Sequence, residues 1–324
     1  MQNSFPNNEM VIAQVIGDLR IGGAERLFVD LANSLKAAST FVVVLNASDV
    51  RLDLNDALSK SVKVMRAPVR KRTCYVDVPK LAKLFRRLRC DVVHTHTFWS
   101  NLYGSAAAAL AGVPVIITSE HGRNEWKRPW HKWAESAVIS RFADRRLCVS
   151  KDILVRRRDI DGVPAEKLVL MPNGTTVPEL SDEMKRDRMV IGSVGRLVPE
   201  KDYPTLIAAV SVLRKAGHDL YLEIVGEGPA RREIEAAINT EGLSDRVRLV
   251  GSQSDVGSWL NRWSIFASSS VQEGQPVALL EAMAHGLPCV ATAVGGVPDT
   301  LQDGVEGIIV KSGNADDLAG ALAT

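Results

Sequence analysis

The sequence is poor in cysteine, and its few cysteines are scattered. Cys74, Cys90, Cys148 and Cys289 form no C-x-x-C pair. This spacing argues against a disulfide framework and against a zinc site, and it suits a reducing compartment. We therefore expect a cytoplasmic protein.

Long hydrophobic runs are also missing. The longest, Ala106–Ile117, is rich in alanine and is interrupted by Pro114, so it is too short to cross a bilayer. The polar N-terminal stretch Met1–Glu9 lacks the basic and apolar regions of a signal peptide. These absences predict a soluble protein, or at most one that rests peripherally on the cytoplasmic face of a membrane.

Several catalytic motifs do not occur. There is no G-x-S-x-G turn, which argues against a serine hydrolase. No Asp-x-Asp is placed to hold a nucleotide-bound metal, and Gly226–Arg231 departs from the dinucleotide fingerprint G-x-G-x-x-G. We expect neither a metal ion nor a cofactor.

Charge is distributed unevenly along a chain of ordinary globular composition, with 46% hydrophobic and 24% charged residues. The net charge of the 324 residues is +2, yet residues 1–185 carry +8 and residues 186–324 carry −6. A basic half joined to an acidic half suggests two domains with different partners. Two solvated surfaces of different charge explain the asymmetry equally well. No nucleic-acid partner is expected.

Short apolar runs alternate with helical stretches along the whole chain. In the first half, strands are predicted at residues 10–19, 41–47, 62–67, 91–95, 114–119, 146–150 and 168–171, and helices at 24–38, 79–89, 99–111 and 130–142. In the second half, strands are predicted at residues 189–195, 220–225, 247–250, 265–268, 289–292 and 307–310. Such alternation is typical of parallel sheets covered by helices on both faces.

The predicted fold class is therefore α/β, with two doubly wound Rossmann-like domains facing across a cleft. The polar stretch after Pro172-Asn173-Gly174 indicates a linker. It divides the chain into a domain at residues 1–178, a linker at 179–188 and a domain at 189–324. In open α/β sheets, ligands bind beyond the carboxyl ends of the strands, so we expect the site in the cleft.

Two carboxylates eight residues apart, Glu273 and Glu281, flank a predicted helix start in the second domain. Pro276 suits the first helical position, and Val277 begins an apolar stripe at helical spacing. Glu273 then lies in the preceding loop and Glu281 more than one turn inside the helix. Free N–H groups at the helix start favour a phosphate. The stretch suits a sugar at one acid, a diphosphate at the amides and a ribose at the other acid. The alternative is an unrelated pair of surface glutamates.

Two cations follow the first strand of the second domain. Arg196 and Lys201 lie in a glycine turn before a helix that begins near Tyr203. From the carboxyl end of a strand both side chains can reach one anion, arginine with a planar fork and lysine with a point charge, which suits a diphosphate. The alternative is an ion pair between Arg196 and Glu200 on the loop.

Three histidines follow neighbouring strands of the first domain. His94 and His96 lie on one side of a strand end, and His121 follows the next strand. A metal site is not favoured, because no carboxylate or third histidine is spaced to join His94 and His96. A structural or acceptor-side role is predicted for these two. His121 is expected to project into the cleft, and the alternative is a loop histidine without a catalytic task.

Tryptophans and basic residues interleave in the segment 123–133, which contains Trp126, Trp130 and Trp133. Five further basic residues lie on or beside a preceding helix: Lys80, Lys83, Arg86, Arg87 and Arg89. This composition suits an anionic membrane surface or an acceptor glycan. The alternative is a set of tryptophans packed under a loop.

Several ordered motifs resemble those of retaining glycosyltransferases of family four, which have the GT-B fold. In the second half the matching stretches are Gly195–Leu197 with Glu200-Lys201, Val225–Pro229, Glu273–Ala291 and Val294–Asp299. In the first half they are Gly22–Arg26, Asp91–His96, Glu120–Gly122 and Pro172–Gly174. The resemblance spans nearly the whole chain, and the ordered set is more specific than any one motif.

The resemblance assigns roles to the four charged residues of the second domain. Arg196 and Lys201 are expected to bind the nucleotide diphosphate and to neutralise charge as the leaving group departs. Glu281 is expected to accept hydrogen bonds from the ribose, and Glu273 to contact the donor sugar. Transfer from a diphosphate chiefly needs this kind of charge stabilisation and positioning.

Backbone and first-domain contacts are implied as well. Substrate contacts just after Glu273 are expected at Gly274, Gln275 and Val277. Gly22 and Gly23 are expected to let the backbone approach the phosphate and the acceptor. His121 is expected to lie near the donor sugar as an orienting or transition-state contact.

The implied activity is that of a retaining, metal-independent glycosyltransferase. It would move a sugar from a nucleotide-diphosphate donor, expected to be a UDP-sugar, to a hydroxyl of a glycan or lipid-linked acceptor. The implied setting is cell-surface polysaccharide or glycolipid synthesis. The alternatives are a GT-B sugar-nucleotide epimerase and a non-catalytic nucleotide-sugar binding protein. Family members usually continue through further helices, so the second domain is expected to be short at its C-terminus.

Overall fold

The computed structural model describes residues 9–35, 38–45, 54–67, 69, 74–123, 128–179 and 188–324. The chain forms two compact units, Met1–Pro172 and Asn173–Thr324, each with its own parallel sheet. The predicted linker at residues 179–188 falls almost entirely outside the described residues. The predicted domain bounds stay predictions, and the two units divide a few residues before that linker.

The first unit contains a seven-stranded parallel sheet in the order β3-β2-β1-β4-β5-β6-β7. Its strands are β1 (Met10–Ile16), β2 (Ala38–Val44), β3 (Lys63–Arg66), β4 (Val92–His96), β5 (Val115–Glu120), β6 (Arg145–Cys148) and β7 (Leu168–Leu170). Its helices are α1 (Gly23–Ser34), α2 (Cys74–Leu88), α3 (Phe98–Ala111), α4 (Pro129–Ala134), α5 (Ser140–Phe142) and α6 (Lys151–Asp159), with a π-helical turn at Glu135–Ile139. The central strand β1 is buried from Val11 to Ile16, as expected for a sheet covered on both faces.

The second unit contains a six-stranded parallel sheet in the order β10-β9-β8-β11-β12-β13. Its strands are β8 (Met189–Val194), β9 (Leu220–Val225), β10 (Val247–Gly251), β11 (Ile265–Ser268), β12 (Cys289–Thr292) and β13 (Gly307–Val310). Its helices are α7 (Tyr203–Lys215), α8 (Arg231–Thr240), α9 (Gly257–Leu260), α10 (Val277–Ala284) and α11 (Ala315–Ala323).

Adjacent residues of β8 show how the second sheet is buried on both faces. Ile191 joins an apolar cluster with Leu206 of α7 and Leu318 of α11. Its neighbour Val190 packs against a different cluster, built around Trp263 and Leu279 of α10. Because successive side chains of a strand point to opposite faces, the sheet lies between two helical layers.

Each sheet has one point at which the order of strand addition reverses. In the first unit this point lies between β1 and β4, and in the second it lies between β8 and β11. In doubly wound sheets, loops leaving the carboxyl ends of these two strands separate and leave a crevice for a ligand. The loops after β1, β4, β8 and β11 are therefore where functional residues are expected.

The predicted α/β class with two doubly wound Rossmann-like domains is confirmed, and every predicted strand is present, with ends that match the prediction or differ from it by a few residues. Two helix predictions need correction. The helix predicted to run to residue 38 ends at Ser34, and Ala38 pairs with Met10 in the sheet. The helix predicted at residues 130–142 is interrupted by the π-helical turn.

Candidate functional site

The loops on either side of the second switch point carry the predicted donor residues. We call residues 195–202, after β8, the cation loop, and residues 269–276, after β11, the acid loop. Two hydrogen bonds to backbone carbonyls join them: Val271 N–H to the Glu200 carbonyl (2.9 Å) and Ser269 Oγ to the Lys201 carbonyl (2.9 Å). Adjacent parallel strands thus bring together residues that lie about 70 positions apart in the sequence.

Lys201 and Glu273 form an ion pair between these two loops. Lys201 Nζ lies 2.5 Å from Glu273 Oε1, and Ser270 Oγ donates to the same oxygen at 2.7 Å. The two side chains are 22% and 10% exposed, so the pair has little access to water. Sequence reasoning had assigned Lys201 to a diphosphate and Glu273 to a sugar separately. It missed Ser270, whose only signal is its place in a serine run at the end of β11.

Arg196 differs from Lys201 in being exposed. Within the described part of the chain it forms no ion pair, so the alternative pairing with Glu200 does not occur. The cation loop therefore presents one lysine fixed by an acid and one arginine available to an anion.

Helix α10 begins directly after the acid loop. Pro276 is its N-cap residue (φ −73°, ψ 114°) rather than its first helical residue, because its ψ is extended. Val277 is buried, and Glu281 lies half-buried in the second turn. The predicted separation of the two acids, one in the loop and one more than a turn inside the helix, is confirmed.

Gln275 is largely engaged within the second unit. Its side-chain oxygen accepts from the Asn173 N–H (2.5 Å), and its side-chain nitrogen donates to Thr300 Oγ1 (3.0 Å). Its backbone carbonyl accepts from Asn173 Nδ2 (3.1 Å). The amide retains one lone pair and one N–H for a ligand. In the structure, Gln275 therefore holds Asn173 against the acid loop.

Gly226 and Gly228 let the turn after β9 pack against the cation loop. A Cβ at Gly226 would lie 1.8 Å from the carbonyl oxygen of Gly195, and one at Gly228 would lie 2.3 Å from that of Leu197. The backbone of Gly226 also has a φ of +150°, which L side chains rarely adopt. These glycines do not complete a dinucleotide fingerprint. They support the loop that carries Arg196.

Replacing Gly228 by alanine is expected to lower both stability and nucleotide binding. The new methyl group must displace the Leu197 carbonyl, and overpacking of this kind costs about 1–3 kcal/mol. Urea denaturation measures the first effect, and calorimetry with a nucleoside diphosphate measures the second. Gly320→Ala is the matched control, because its Cβ meets no atom within 4 Å and alanine suits the interior of α11. Unchanged affinity in Gly228→Ala would contradict the supporting role.

Gly22 and Gly23 lie where α1 begins, after the first switch-point strand. Gly22 is the N-cap residue in an extended conformation, and its carbonyl accepts from the Arg26 N–H (2.9 Å). A helix start of this kind offers N–H groups to an anion. The predicted contact of these glycines with phosphate or acceptor stays a prediction.

The three histidines form one cluster at the carboxyl ends of β4 and β5. His96 pairs in register with Ser119, so His121, two residues further on, reaches back to it. His96 Nδ1 lies 3.1 Å from His121 Nε2, and the His94 and His96 ring centroids are 4.1 Å apart. The sequence spacing did not show that His121 meets this pair, because strand adjacency brings the three rings together. The described residues contain no group of three or more His, Cys, Asp or Glu side chains that could hold a metal ion.

Burial makes this cluster sensitive to acid. It lowers the pKa of His94 to about 3 and that of His121 to about 4, and it holds the pKa of His96 well below its usual value. In the unfolded chain these rings protonate near pH 6.5. Between pH 6.5 and about 4 the unfolded state therefore binds more protons than the folded state.

We accordingly expect full stability above pH 6.5 and a progressive loss as the pH falls toward 4. Urea denaturation at a series of pH values measures this slope. His94→Gln should flatten the slope, because one of the suppressed protonations is removed. His218→Gln, at an exposed position, should leave it unchanged. A stability that does not vary between pH 6.5 and 4.5 would contradict the buried neutral state of the cluster.

A buried ion network lies beside His121. Glu120 accepts from Arg146 at 2.8 Å and from Arg157 at 3.1 Å. Arg146 also pairs with Glu135, and Arg157 with Asp161. No side chain of the network is more than 7% exposed.

This network fixes the backbone around His121. Glu120 precedes the histidine directly, and Arg157 donates to the carbonyl of Gly122 at 3.3 Å. In the sequence, Glu120 appears only as part of a family motif, and nothing there indicates that it meets the two arginines. Two adjacent arginines open β6, and only the structure shows that Arg146 is the buried one.

The tryptophan segment is described only in part, since residues 124–127, including Trp126, lie outside the described residues. Trp130 and Trp133 are 51% and 71% exposed, so Trp133 is not packed under a loop. The predicted basic residues are also exposed: Lys80, Lys83, Arg86, Arg87 and Arg89. None of the described helices has the length and apolar character needed to cross a bilayer.

Two family models together match almost the whole chain. "Glycosyltransferase Family 4" matches residues 21–177, and "Glycosyl transferases group 1" matches residues 188–324. Each model falls largely within one of the two α/β units. The matched regions contain every strand of both sheets except β1, which precedes residue 21.

Characterised relatives are similar over most of this chain. The Escherichia coli UDP-Gal:alpha-D-GlcNAc-diphosphoundecaprenol alpha-1,3-galactosyltransferase is 26% identical over 83% of this chain and 76% of its own length. The 2-deoxystreptamine glucosyltransferase of Streptomyces kanamyceticus is 28% identical over 73% of this chain and 68% of its own. Among solved structures, Anabaena HepE in complex with UDP-glucose superposes with a TM-score of 0.85 at 20% identity, covering 97% of this chain and 89% of that one.

Proposed function

Because this chain belongs to glycosyltransferase family 4 and has the GT-B fold, we propose that it transfers a sugar from a UDP-sugar to a hydroxyl group of a glycan or lipid-linked acceptor. The transfer retains the configuration at the anomeric carbon and needs no metal ion. Its product belongs to a cell-surface polysaccharide or glycolipid, assembled at the cytoplasmic face of a membrane.

The observation that carries this proposal is the joining of the cation and acid loops at the second switch point. Arg196 and Lys201 lie on one of these loops, Glu273 lies on the other, and Glu281 lies in the helix that follows. Lys201 Nζ contacts Glu273 Oε1 at 2.5 Å. A nucleotide diphosphate needs cations and backbone N–H groups, whereas a ribose and a sugar need carboxylates that accept from hydroxyls. The joined loops and the start of α10 offer both kinds of group.

The choice of UDP and of a lipid-linked or glycan acceptor draws on relatives. The E. coli relative is named for UDP-Gal and for a diphosphoundecaprenol-linked acceptor, and HepE has been crystallised with UDP-glucose. Both observations belong to those proteins. They make UDP-sugars the first donors to test here.

In the proposed reaction, the bond between the anomeric carbon and the diphosphate oxygen breaks, and a bond to the acceptor oxygen forms on the same face of the sugar. The acceptor hydroxyl gives its proton to an oxygen of the departing diphosphate. Arg196 and Lys201 offset the negative charge that develops on that leaving group. Glu281 binds the ribose hydroxyls, and Glu273, with Gly274, Gln275 and Val277, positions the sugar.

The first unit is proposed to serve the reacting sugar and the acceptor. Gly22 and Gly23 allow close approach of the backbone at the start of α1. His121 contacts the transferred sugar and orients it for attack, a contribution of positioning rather than of metal chemistry.

A donor screen tests the proposal. Purified protein is incubated with UDP-, GDP- and ADP-sugars, with and without glycan and undecaprenyl-diphosphate acceptors, and release of free nucleoside diphosphate is followed. We expect acceptor-dependent release of UDP from one donor, and a product whose anomeric configuration by NMR matches that of the donor. Isomerisation of the donor without an acceptor would indicate an epimerase. Binding without release under every acceptor would indicate a non-catalytic binding protein.

A matched pair of variants connects the activity to the site. Glu281→Ala should weaken binding of the UDP-sugar, because the ribose loses its carboxylate. Glu306→Ala, which removes a carboxylate from the loop before β13, should not. Wild-type donor affinity in both Glu281→Ala and Arg196→Ala would overturn the assignment of the donor site.

Membrane attachment is a separate proposal, supported by the exposed tryptophans of α4. Trp130 and Trp133 flank Lys132, which is also exposed, so an aromatic and basic surface faces solvent there. Such a surface is attracted to anionic headgroups and inserts its indole rings at the interface.

We expect the protein to float with vesicles that contain anionic lipid and to remain unbound with neutral ones. Trp133→Ala should reduce the floated fraction several-fold, because the most exposed ring of α4 is removed. Val305→Ala, at an exposed apolar position outside this surface, is the control. Absence of binding to either kind of vesicle would refute the attachment.

A further inference from the structure

The described histidine cluster continues inward to a glutamine of the central strand. Gln14 lies on β1 and is 2% exposed, and its side-chain oxygen is 2.9 Å from Nε2 of His96. On its other side, Nδ1 of His96 is 3.1 Å from Nε2 of His121. The rings of Phe28 and His96 are nearly perpendicular, with centroids 5.0 Å apart, and this contact restricts rotation of the imidazole ring. One hydrogen-bonded line therefore runs from β1 through β4 to the loop after β5.

The direction of the hydrogen bonds in this line follows from its first member. The amide oxygen of Gln14 can only accept, so Nε2 of His96 must carry a proton. A neutral imidazole has one N–H, which leaves Nδ1 of His96 as an acceptor. The proton between the two rings then belongs to Nε2 of His121, and Nδ1 of His121 carries a lone pair.

The rings are neutral near pH 7, because burial lowers the pKa of His121 to about 4 and keeps that of His96 well below its usual value. Neutral rings carry one ring proton each, which agrees with the hydrogen-bond directions given above. The hydrogen bonds themselves do not depend on these pKa values, since both ring-to-partner distances are within hydrogen-bond range.

The line ends at an atom that has no partner. His121 Nδ1 is buried and makes no hydrogen bond with any residue that the structure describes. Buried polar atoms are nearly always paired in folded proteins, and one that is not calls for a functional explanation. A lone pair held at this position is suited to accept a hydrogen bond from a hydroxyl group.

We propose that Gln14 and His96 are positioning residues that fix His121 in the Nε2-protonated tautomer, so that its Nδ1 accepts a hydrogen bond from a sugar hydroxyl. This proposal rests on the proposed function for the identity of the ligand, but not for the tautomer itself. It adds a specificity: the site favours a sugar that presents a hydroxyl to Nδ1 over the corresponding deoxy or O-methyl sugar.

Nitrogen-15 NMR of the histidine rings tests the tautomer directly, because protonated and unprotonated ring nitrogens resonate in separate regions. The His121 signals are assigned by their loss in His121→Asn. We expect a proton on Nε2 of both His96 and His121 at pH 7. A proton on Nδ1 of His121, or a doubly protonated ring, would overturn the proposal whether or not any donor is turned over.

The variant Gln14→Leu removes the acceptor while keeping a side chain of similar size. We expect His121 in this variant to lose its single-tautomer pattern. We also expect kcat to fall at least about tenfold, with KM for the donor changed much less, because a His121 proton on the wrong ring nitrogen disturbs the orientation of the reacting sugar. Ser119→Ala is the matched control. It removes the partner of His94 Nε2 (2.8 Å) on the adjoining strand and should leave the His121 pattern intact.

An unchanged tautomer and an unchanged kcat in Gln14→Leu would refute the positioning role. If Gln14→Leu does not fold, the wild-type spectrum still decides the tautomer. If the wild-type protein turns over no donor, the proposed function fails, but the spectrum still tests the tautomer of His121.

Discussion

Replacing Lys201 by methionine is expected to lower kcat/KM for the donor about 10²–10³-fold, the loss typical of removing one group that stabilises a developing negative charge. Methionine keeps the apolar stem, which packs close to Gly195 at the start of the cation loop. It removes only the ammonium group that contacts Glu273 and, by our proposal, the diphosphate. Steady-state kinetics measure the loss of kcat/KM, and calorimetry with UDP measures the loss of nucleotide affinity.

Lys215→Met is the control for Lys201→Met. Lys215 also belongs to an ion pair, with Glu241 at 3.6 Å, but its side chain is 75% exposed at the end of α7. Exposed pairs contribute little, so activity and stability should both stay near wild type. Full donor affinity and full turnover in Lys201→Met would remove Lys201 from the site and leave Arg196 as the only proposed cation.

Replacing Glu120 by glutamine is expected to destabilise the first unit by about 3–5 kcal/mol, the range found when one partner of a buried ion pair is removed. Glu120 is the shared acceptor of Arg146 and Arg157, both at most 1% exposed. Without its charge, two buried guanidinium groups share the remaining carboxylates Glu135 and Asp161. Chemical denaturation measures the loss, and turnover should fall as well, because the network holds the backbone on both sides of His121.

Asp159→Asn makes the same chemical change at the surface and serves as the control. Asp159 pairs with Arg158 in α6, but both side chains are about half exposed. Water already solvates these charges, so no measurable shift in the denaturation midpoint is expected. A Glu120→Gln protein as stable as Asp159→Asn would show that the network does not hold the loop.

The fold could be predicted from the sequence because periodicity and burial agree along the whole chain. Short, mostly apolar runs such as residues 220–225, alternating with helical stretches, favour strands of a covered parallel sheet, and the structure places a strand there. Element ends were less certain. Pro276 shows why: its φ fits both the N-cap and the first helical position, and only its ψ distinguishes them.

The candidate site could be predicted in part. Glycine turns and charges at strand ends indicated Arg196, Lys201, Glu273 and Glu281, since the carboxyl edge of a parallel sheet is where ligands bind. The sequence did not show that Lys201 pairs with Glu273, because that contact depends on β8 and β11 being neighbours. Gln275 was predicted as a ligand contact, and its bonds to Asn173 and Thr300 became visible only in the structure.

The alternation of strands and helices, the division into two α/β halves and the family motifs can all be read from the sequence alone, because each depends on residues close together in the chain. Which distant side chains meet is visible only in the folded protein. Gln14, His96 and His121 come from three different segments, and they touch because the order β1-β4-β5 aligns the strand ends. Strand order is set by packing among all the helices and strands at once, so no local pattern in the sequence encodes it.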